Sequence, residues 1–229
     1  MSQPQSQSEP QALVVALVGA ESSGKSTLAN ALQVALRQAG HDAVVVPEYL
    51  REFCALTGRT PTPVEQQAIA LQQTERIDLA MRRHAMVIAD TTALVTAAYS
   101  NCIFHDTALD TMALAAQQRY RLTLLCGLDL PWQADGHQRS GAQTRAPIDA
   151  WLRAAMERAG VAYSVLYGSP EHRLQVALAQ VNRAGTGALP EAGLAPWRWK
   201  CRHCSEDDWA SSADLRRLPS QRQEKLRQR

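Results

Sequence analysis

The sequence predicts a doubly wound α/β fold, a mainly parallel five-stranded sheet flanked by helices. Three observations carry this. Short apolar runs alternate with amphipathic helical stretches along most of the chain. The first run, within Ala12 to Val18, leads into Gly19-Ala20-Glu21-Ser22-Ser23-Gly24-Lys25-Ser26-Thr27 and then a helix. That strand, glycine turn, lysine, hydroxyl and helix are, in order, the parts of a phosphate-binding loop (P-loop), whose backbone N–H groups close around phosphate oxygens. Finally, the later runs end in acidic residues, as strands do where a sheet of this class builds its ligand site.

Each element follows in order. Ser26 to Gln38 carries Leu28, Leu32 and Leu36 at helical spacing and stops at Gly40. Ala43 to Val46 has the β-branched run of a parallel strand buried on both faces, and Pro47 turns it into Glu48-Tyr49-Leu50-Arg51-Glu52-Phe53. Pro61 and Pro63 open a long Gln- and Arg-rich helix, Val64 to His84, expected at the periphery. Met86 to Ala89 is the third strand, followed by helices over Ala93 to Gln118 with a loop near His105. Leu122 to Leu128 is the fourth strand, and Asp129 to Pro147 is a polar loop of the length that usually has a function. A helix from Ile148 to Ala159, a strand from Ala162 to Leu166 and a helix from Glu171 to Arg183 complete five βα units. The expected organisation is a disordered leader over 1–11, one domain over 12–184, and a linker with an Arg-rich, Cys-containing tail over 185–229.

Composition narrows the function classes. With 229 residues, 45% of them hydrophobic, the chain is long enough to bury a core. A net charge of +2 offers no basic footprint for nucleic acid. No apolar run approaches the length of a membrane span, and the start lacks the pattern of a secretory signal, so a cytoplasmic protein is expected. Five cysteines form no disulfide framework. Cys201-x-x-Cys204, with His203 between, has metal-ligand spacing but no second pair, so zinc there is the weaker reading against two incidental thiols. Oligomeric state is open, a homo-oligomer included.

Three carboxylates converge at the carboxyl edge of the predicted sheet: Glu48, Asp90 and Asp129. Beside Lys25, one carboxylate suits holding Mg²⁺ and another suits accepting a proton from an attacking hydroxyl. The competing roles are capping of the next helix for Asp90 and simple strand termination for Asp129. Thr91 occupies the position where an ATP-hydrolysing motor carries a second acid, so hydrolysis is not favoured. None of the three lysines, Lys25, Lys200 and Lys225, lies in a guanine-reading motif. Arg139 and Arg145 in the long loop are candidates to neutralise charge on a transferring phosphoryl group, the alternative being solvated surface arginines. Trp132 is either a platform for a substrate base or a hydrophobic anchor of the loop.

Taken together, Gly19 to Leu28, Pro47 to Phe53, Ala89 to Thr92 and Pro-Trp-Gln-Ala-Asp-Gly at Pro131 to Gly136 with its following Arg139-Ser140 resemble the ribosylnicotinamide kinase domain of NadR-type proteins, over roughly Ala12 to Arg183. The resemblance implies transfer of the γ-phosphate of ATP to the 5′-hydroxyl of nicotinamide riboside. It implies that Gly19, Glu21, Ser22, Ser23, Gly24, Lys25, Ser26 and Thr27 bind ATP, and that Ser26 and Asp90 hold Mg²⁺. Glu48, Tyr49, Arg51 and Asp90 would then face the riboside, with Trp132, Asp135 and Arg139 on the substrate and lid side. The competing readings are a kinase for another nucleoside or nucleotide, and a nucleotide-sensing regulatory ATPase.

Overall fold

The computed structural model describes residues 12–133 and 141–185; the leader expected over 1–11 and the tail beyond Gly185 lie outside them. Five strands form one sheet: β1 (Leu13–Val18), β2 (Ala43–Val46), β3 (Met86–Asp90), β4 (Leu122–Cys126) and β5 (Ser164–Leu166). Their order is β2-β3-β1-β4-β5, and every pairing is parallel. β1 is therefore the central strand, and all six of its residues are buried, as its unbroken apolar run requires.

Seven helices cover the described part of the sheet: α1 (Lys25–Gln38), α2 (Tyr49–Thr57), α3 (Gln66–Met81), α4 (Ala93–Phe104), α5 (Asp110–Gln118), α6 (Arg145–Arg158) and α7 (Pro170–Gly185). One core layer packs Leu28, Leu32 and Leu36 of α1 and Ala177 and Val181 of α7 against Val15, Leu17, Ile88 and Leu124. On the opposite face Leu94, Ala97 and Ala98 of α4 meet Val18, Leu125, and Ile148 and Leu152 of α6.

Tyr49 to Thr57, left unassigned by its sequence pattern, forms a helix of its own. Four expectations are corrected. The helix expected over 64–84 starts with a 3₁₀ turn, Pro63–Glu65, closed by the Thr62–Glu65 capping box, and α3 ends at Met81. It is also not peripheral: Gln66, Ile69, Ala70, Gln73 and Ile77 are buried. Two of these five are glutamines, which in sequence look like solvent-facing residues. β4 ends at Cys126, where its partner β5 also ends at Leu166; the Gly127 amide closes the pairing by donating to Leu166 O. The loop after it closes before Pro147, since α6 begins at Arg145 and proline fits a first helical turn, where its missing N–H has no partner to lose.

Arg173 ties these parts together. This arginine of α7 is 2% exposed. It donates to the carbonyls of Ser23 (2.6 Å), Gly168 (3.1 Å) and Gly127 (3.3 Å), and pairs with Asp129 Oδ1 at 2.5 Å. Asp129 also accepts the Gly168 amide at 2.6 Å. Asp129 is thus a structural partner of Arg173, which decides between its two sequence readings. Burial opposes its ionisation, but the Gly168 amide and the Arg173 guanidinium outweigh that and hold the carboxyl below the ordinary aspartate range.

Removing Arg173 leaves three carbonyls and a carboxylate without their donor. Arg173→Ala is expected to destabilise the protein by about 3 kcal/mol in chemical denaturation. The lowered Asp129 value sets the sign of the pH dependence. Stability from the pair is full above the unfolded aspartate value of about 3.9 and is lost as the pH falls through the lowered folded value. The stability gap between wild type and Asp129→Asn should therefore shrink on acidification below that point.

Candidate functional site

The turn from β1 into α1 is shaped by two glycines. Gly19 has φ +142°, and a Cβ there would lie 2.8 Å from the Cys126 carbonyl oxygen. Gly24 has φ +82° and would set a Cβ 3.0 Å from Leu130 Cδ1. Any side chain at Gly19 meets backbone, so the loop can lie against β4 only because that residue is glycine. Lys25 is buried, and its ammonium donates to Gly19 O (2.9 Å) and Ala20 O (2.8 Å). The Ser23 hydroxyl donates to Ala20 O at 2.7 Å, while Arg173 holds the Ser23 carbonyl from behind. The rim is tied outward as well. Glu21 N donates to the Tyr99 hydroxyl (3.0 Å) and Ser22 Oγ to Gln133 O (2.7 Å), and Glu21 Oε1 accepts from Thr144 Oγ1 (3.3 Å).

The loop borders a cavity of about 1010 Å³ at the carboxyl edge of the sheet. Its wall includes the loop residues Glu21 to Thr27, Glu48 and Arg51 from the β2 edge, Asp90 and Thr91 from the β3 edge, and Val95, Thr96, Tyr99, Ile103 and Phe104 of α4. Strand order sets the spacing. Asp90 pairs with Leu17 of β1, beside the strand from which the loop emerges, and Glu48 lies one strand further out, beyond β2. Adjacent strands are about 4.8 Å apart, so loop, Asp90 and Glu48 stand in a row.

Asp90 is 4% exposed, and its Oδ1 is fully buried with no hydrogen-bond partner among the described residues. It does not cap α4: the N-cap residue is Thr92, whose hydroxyl donates to Gln117 Oε1 at 2.7 Å. Glu48 is paired with Arg51 Nε at 2.9 Å. A buried amide on α3 spans the two carboxylate positions, since Gln73 Oε1 accepts from Tyr49 N (2.7 Å) and Gln73 Nε2 donates to Thr91 O (3.2 Å). Thr91 has φ +84°, a left-handed conformation unfavourable for a β-branched residue. Gln73 thus fixes the strained peptide that follows Asp90.

Several sequence-predicted residues lie elsewhere. Tyr49 is not on the cavity wall; its ring lies under the Arg76 guanidinium, 4.4 Å from the centroid, while Arg76 forms a two-bonded pair with Glu52. Trp132 is also absent from the wall and is exposed. The aromatic lining comes from Tyr99 and Phe104, which sequence reasoning passed over in an Ala-rich helix. Arg145 is buried and donates to Leu130 O at 3.0 Å, so it anchors the base of the long loop and is not a solvated side chain. Asp135, Arg139, Cys201 and Cys204 lie outside the described residues.

Tyr99 and Thr144 hold the Glu21 segment from two different elements. Tyr99→Phe removes the hydroxyl that accepts the Glu21 amide, and is expected to cost about 1 kcal/mol of stability and to weaken binding of AMP-PNP at the loop several-fold. Calorimetric titration with a denaturation curve checks both.

A family model described as an AAA domain matches residues 14–173. No curated protein matches the chain. Among solved structures, the NadR protein in complex with NAD and AMP-PNP is similar at 17% identity and a TM-score of 0.59, over 80% of this chain and 52% of that one. The NadR protein in complex with NR aligns at 18% identity and a TM-score of 0.60, over 74% of this chain and 49% of that one. Thymidylate kinase from Ehrlichia chaffeensis aligns at 14% identity and a TM-score of 0.55, over 75% of this chain and 99% of that one. This chain spans about half the length of the NadR structures. At these identities the likeness is one of fold alone. With its phosphate-binding loop and the matched span covering most of its length, the chain belongs to the AAA-domain family.

Proposed function

We propose that this protein is an ATP-dependent kinase that phosphorylates the 5′-hydroxyl of a nucleoside, nicotinamide riboside first among them. The observation that carries the reading is Asp90: a buried carboxylate with an unpartnered oxygen, one strand from the phosphate loop, on the wall of a cavity large enough for a nucleotide and a second small molecule. An uncompensated buried carboxylate is costly unless a cation or a hydrogen-bond donor joins it.

The loop amides and the N-terminal end of α1 receive the ATP phosphates, and Lys25 exchanges its loop carbonyls for β- and γ-phosphate oxygens. Ser26 and Asp90 offer the hard oxygen donors that fit Mg²⁺, which when bound neutralises charge on the transferring group. Glu48, one strand further out and oriented by Arg51, accepts the proton of the attacking 5′-hydroxyl. The row of loop, Asp90 and Glu48 sets the acceptor oxygen in line with the γ-phosphate. Thr91 beside Asp90 is a hydroxyl residue and not a second acid, so no side chain at that position activates water.

Two features support a cationic base over a neutral one. Among the described residues the wall carries three carboxylates, Glu21, Glu48 and Asp90, and its aromatic faces are Tyr99 and Phe104. The NadR structures in complex with NAD and with NR share this fold. Asp135 and Arg139 remain candidates by the resemblance alone; of Tyr49, Arg51 and Trp132, only Arg51 is on the cavity wall.

Lys25→Ala should abolish ATP binding in calorimetry while leaving the thermal midpoint within about 3 °C, because the lysine serves a ligand and not the core. Asp90→Asn should lower kcat by roughly 10²-fold or more with the fold intact. A coupled ADP-release screen over nicotinamide riboside, adenosine, uridine and thymidine tests the substrate: the first should give the highest kcat/KM. Better turnover of another riboside removes the nicotinamide assignment, and ADP release that no riboside stimulates replaces the kinase with a regulatory ATPase.

A further inference from the structure

Three glutamines among the described residues are buried: Gln66, Gln73 and Gln117. Two of the three spend their amides inside the protein. Gln73 bonds Tyr49 N and Thr91 O, and Gln117 bonds the Thr92 hydroxyl and the Thr123 hydroxyl, the latter at 2.9 Å. Gln66 is 5% exposed, lies on the cavity wall, and its side chain has no hydrogen-bond partner among the described residues. The same buried face of α3 carries both Gln66 and Gln73, seven residues or about two turns apart.

That spacing works as a ruler. Gln73 sits at the level of the strand-end carboxylates, because it holds the peptides next to Glu48 and Asp90. Two helical turns along α3, at about 1.5 Å per residue, set Gln66 roughly 10 Å from that level, about the length of one nucleoside. The α4 part of the wall has a similar extent, with cavity-lining positions running from Val95 to Phe104. A nucleoside with its 5′-hydroxyl at Glu48 and Asp90 would thus bring the far edge of its base to Gln66, between the Tyr99 and Phe104 side and α3.

We infer that Gln66 is a specificity-determining residue that reads the far edge of the acceptor base through a paired donor and acceptor. A carboxamide both donates and accepts, so its complement is a group that also does both, such as a primary carboxamide, and it disfavours a carboxylate, which only accepts. This rests on the nicotinamide riboside reading above and names the group by which that substrate is told from its acid analogue. A cavity-facing amide makes such discrimination steep, because a bound ligand that shuts water out but lacks the complementary atoms leaves the amide unsatisfied.

The test is calorimetric titration of nicotinamide riboside and of nicotinic acid riboside into the full chain with AMP-PNP bound, comparing wild type, Gln66→Leu and Gln66→Glu. Wild type should bind the amide roughly tenfold or more tighter than the acid. Gln66→Leu should weaken the amide roughly tenfold and erase the preference, with AMP-PNP affinity within about twofold of wild type. Gln66→Glu keeps the shape and loses the donor, so it should weaken the amide too, and it decides the matter if the leucine variant misfolds. A folded variant that binds nicotinamide riboside within about twofold of wild type overturns the inference, as does a wild type that does not bind this riboside. Turnover of nicotinamide riboside that is indifferent to Gln66 removes only this residue's role. Turnover of a different riboside alone removes the nicotinamide reading with it and leaves the kinase class standing.

Discussion

The Arg173 guanidinium, buried behind the phosphate loop, is the interaction on which the rest of this structure depends. A loop that turns its amides toward an anion must turn its carbonyls the other way, and a buried carbonyl without a donor is costly. Arg173 meets that need at Ser23 O and joins it to the ends of β4 and β5 through Gly127 O, Gly168 O and Asp129. The arrangement suits a positive group, because it adds favourable charge close behind a site for phosphate without occupying it. Helix α7 thus does more than cover the sheet.

The carboxylate side of the site is held by amides. Gln73 spans the peptides after Glu48 and Asp90, and Gln117 links the first turn of α4 to β4 through Thr92 and Thr123. Neutral amides can do this next to acidic groups without pairing with them, which leaves Asp90 Oδ1 unpartnered. The left-handed Thr91 is the conformational cost of turning directly from β3 into α4, and Gln73 offsets it with a hydrogen bond to its carbonyl.

Much of this was legible in the sequence, and what was hidden shares one physical cause. The strands announce themselves because a parallel strand buried on both faces is a continuous apolar run, as in Leu13 to Val18. The loop is legible because its chemistry demands glycine, lysine and a hydroxyl at fixed spacing. Asp90 and Glu48 could be placed because strand ends point at the site. Gln73, Gln117, Arg145 and Arg173 could not, since a polar residue buried by a partner from another element has the same sequence signature as one facing water. Arg173 and Ser23 are 150 residues apart. Tyr49 shows the converse: an aromatic next to a site residue is drawn away by Arg76 on α3, a partner local pattern does not reveal.

The central claim is that the cavity directs the γ-phosphate to an acceptor hydroxyl and not to water. The most direct measurement is phosphorus NMR of the protein incubated with ATP, Mg²⁺ and nicotinamide riboside. The account predicts a phosphomonoester resonance split by the two 5′-methylene protons, growing in step with ADP. Inorganic phosphate and ADP as the only new species, formed at the same rate with and without riboside, would contradict it.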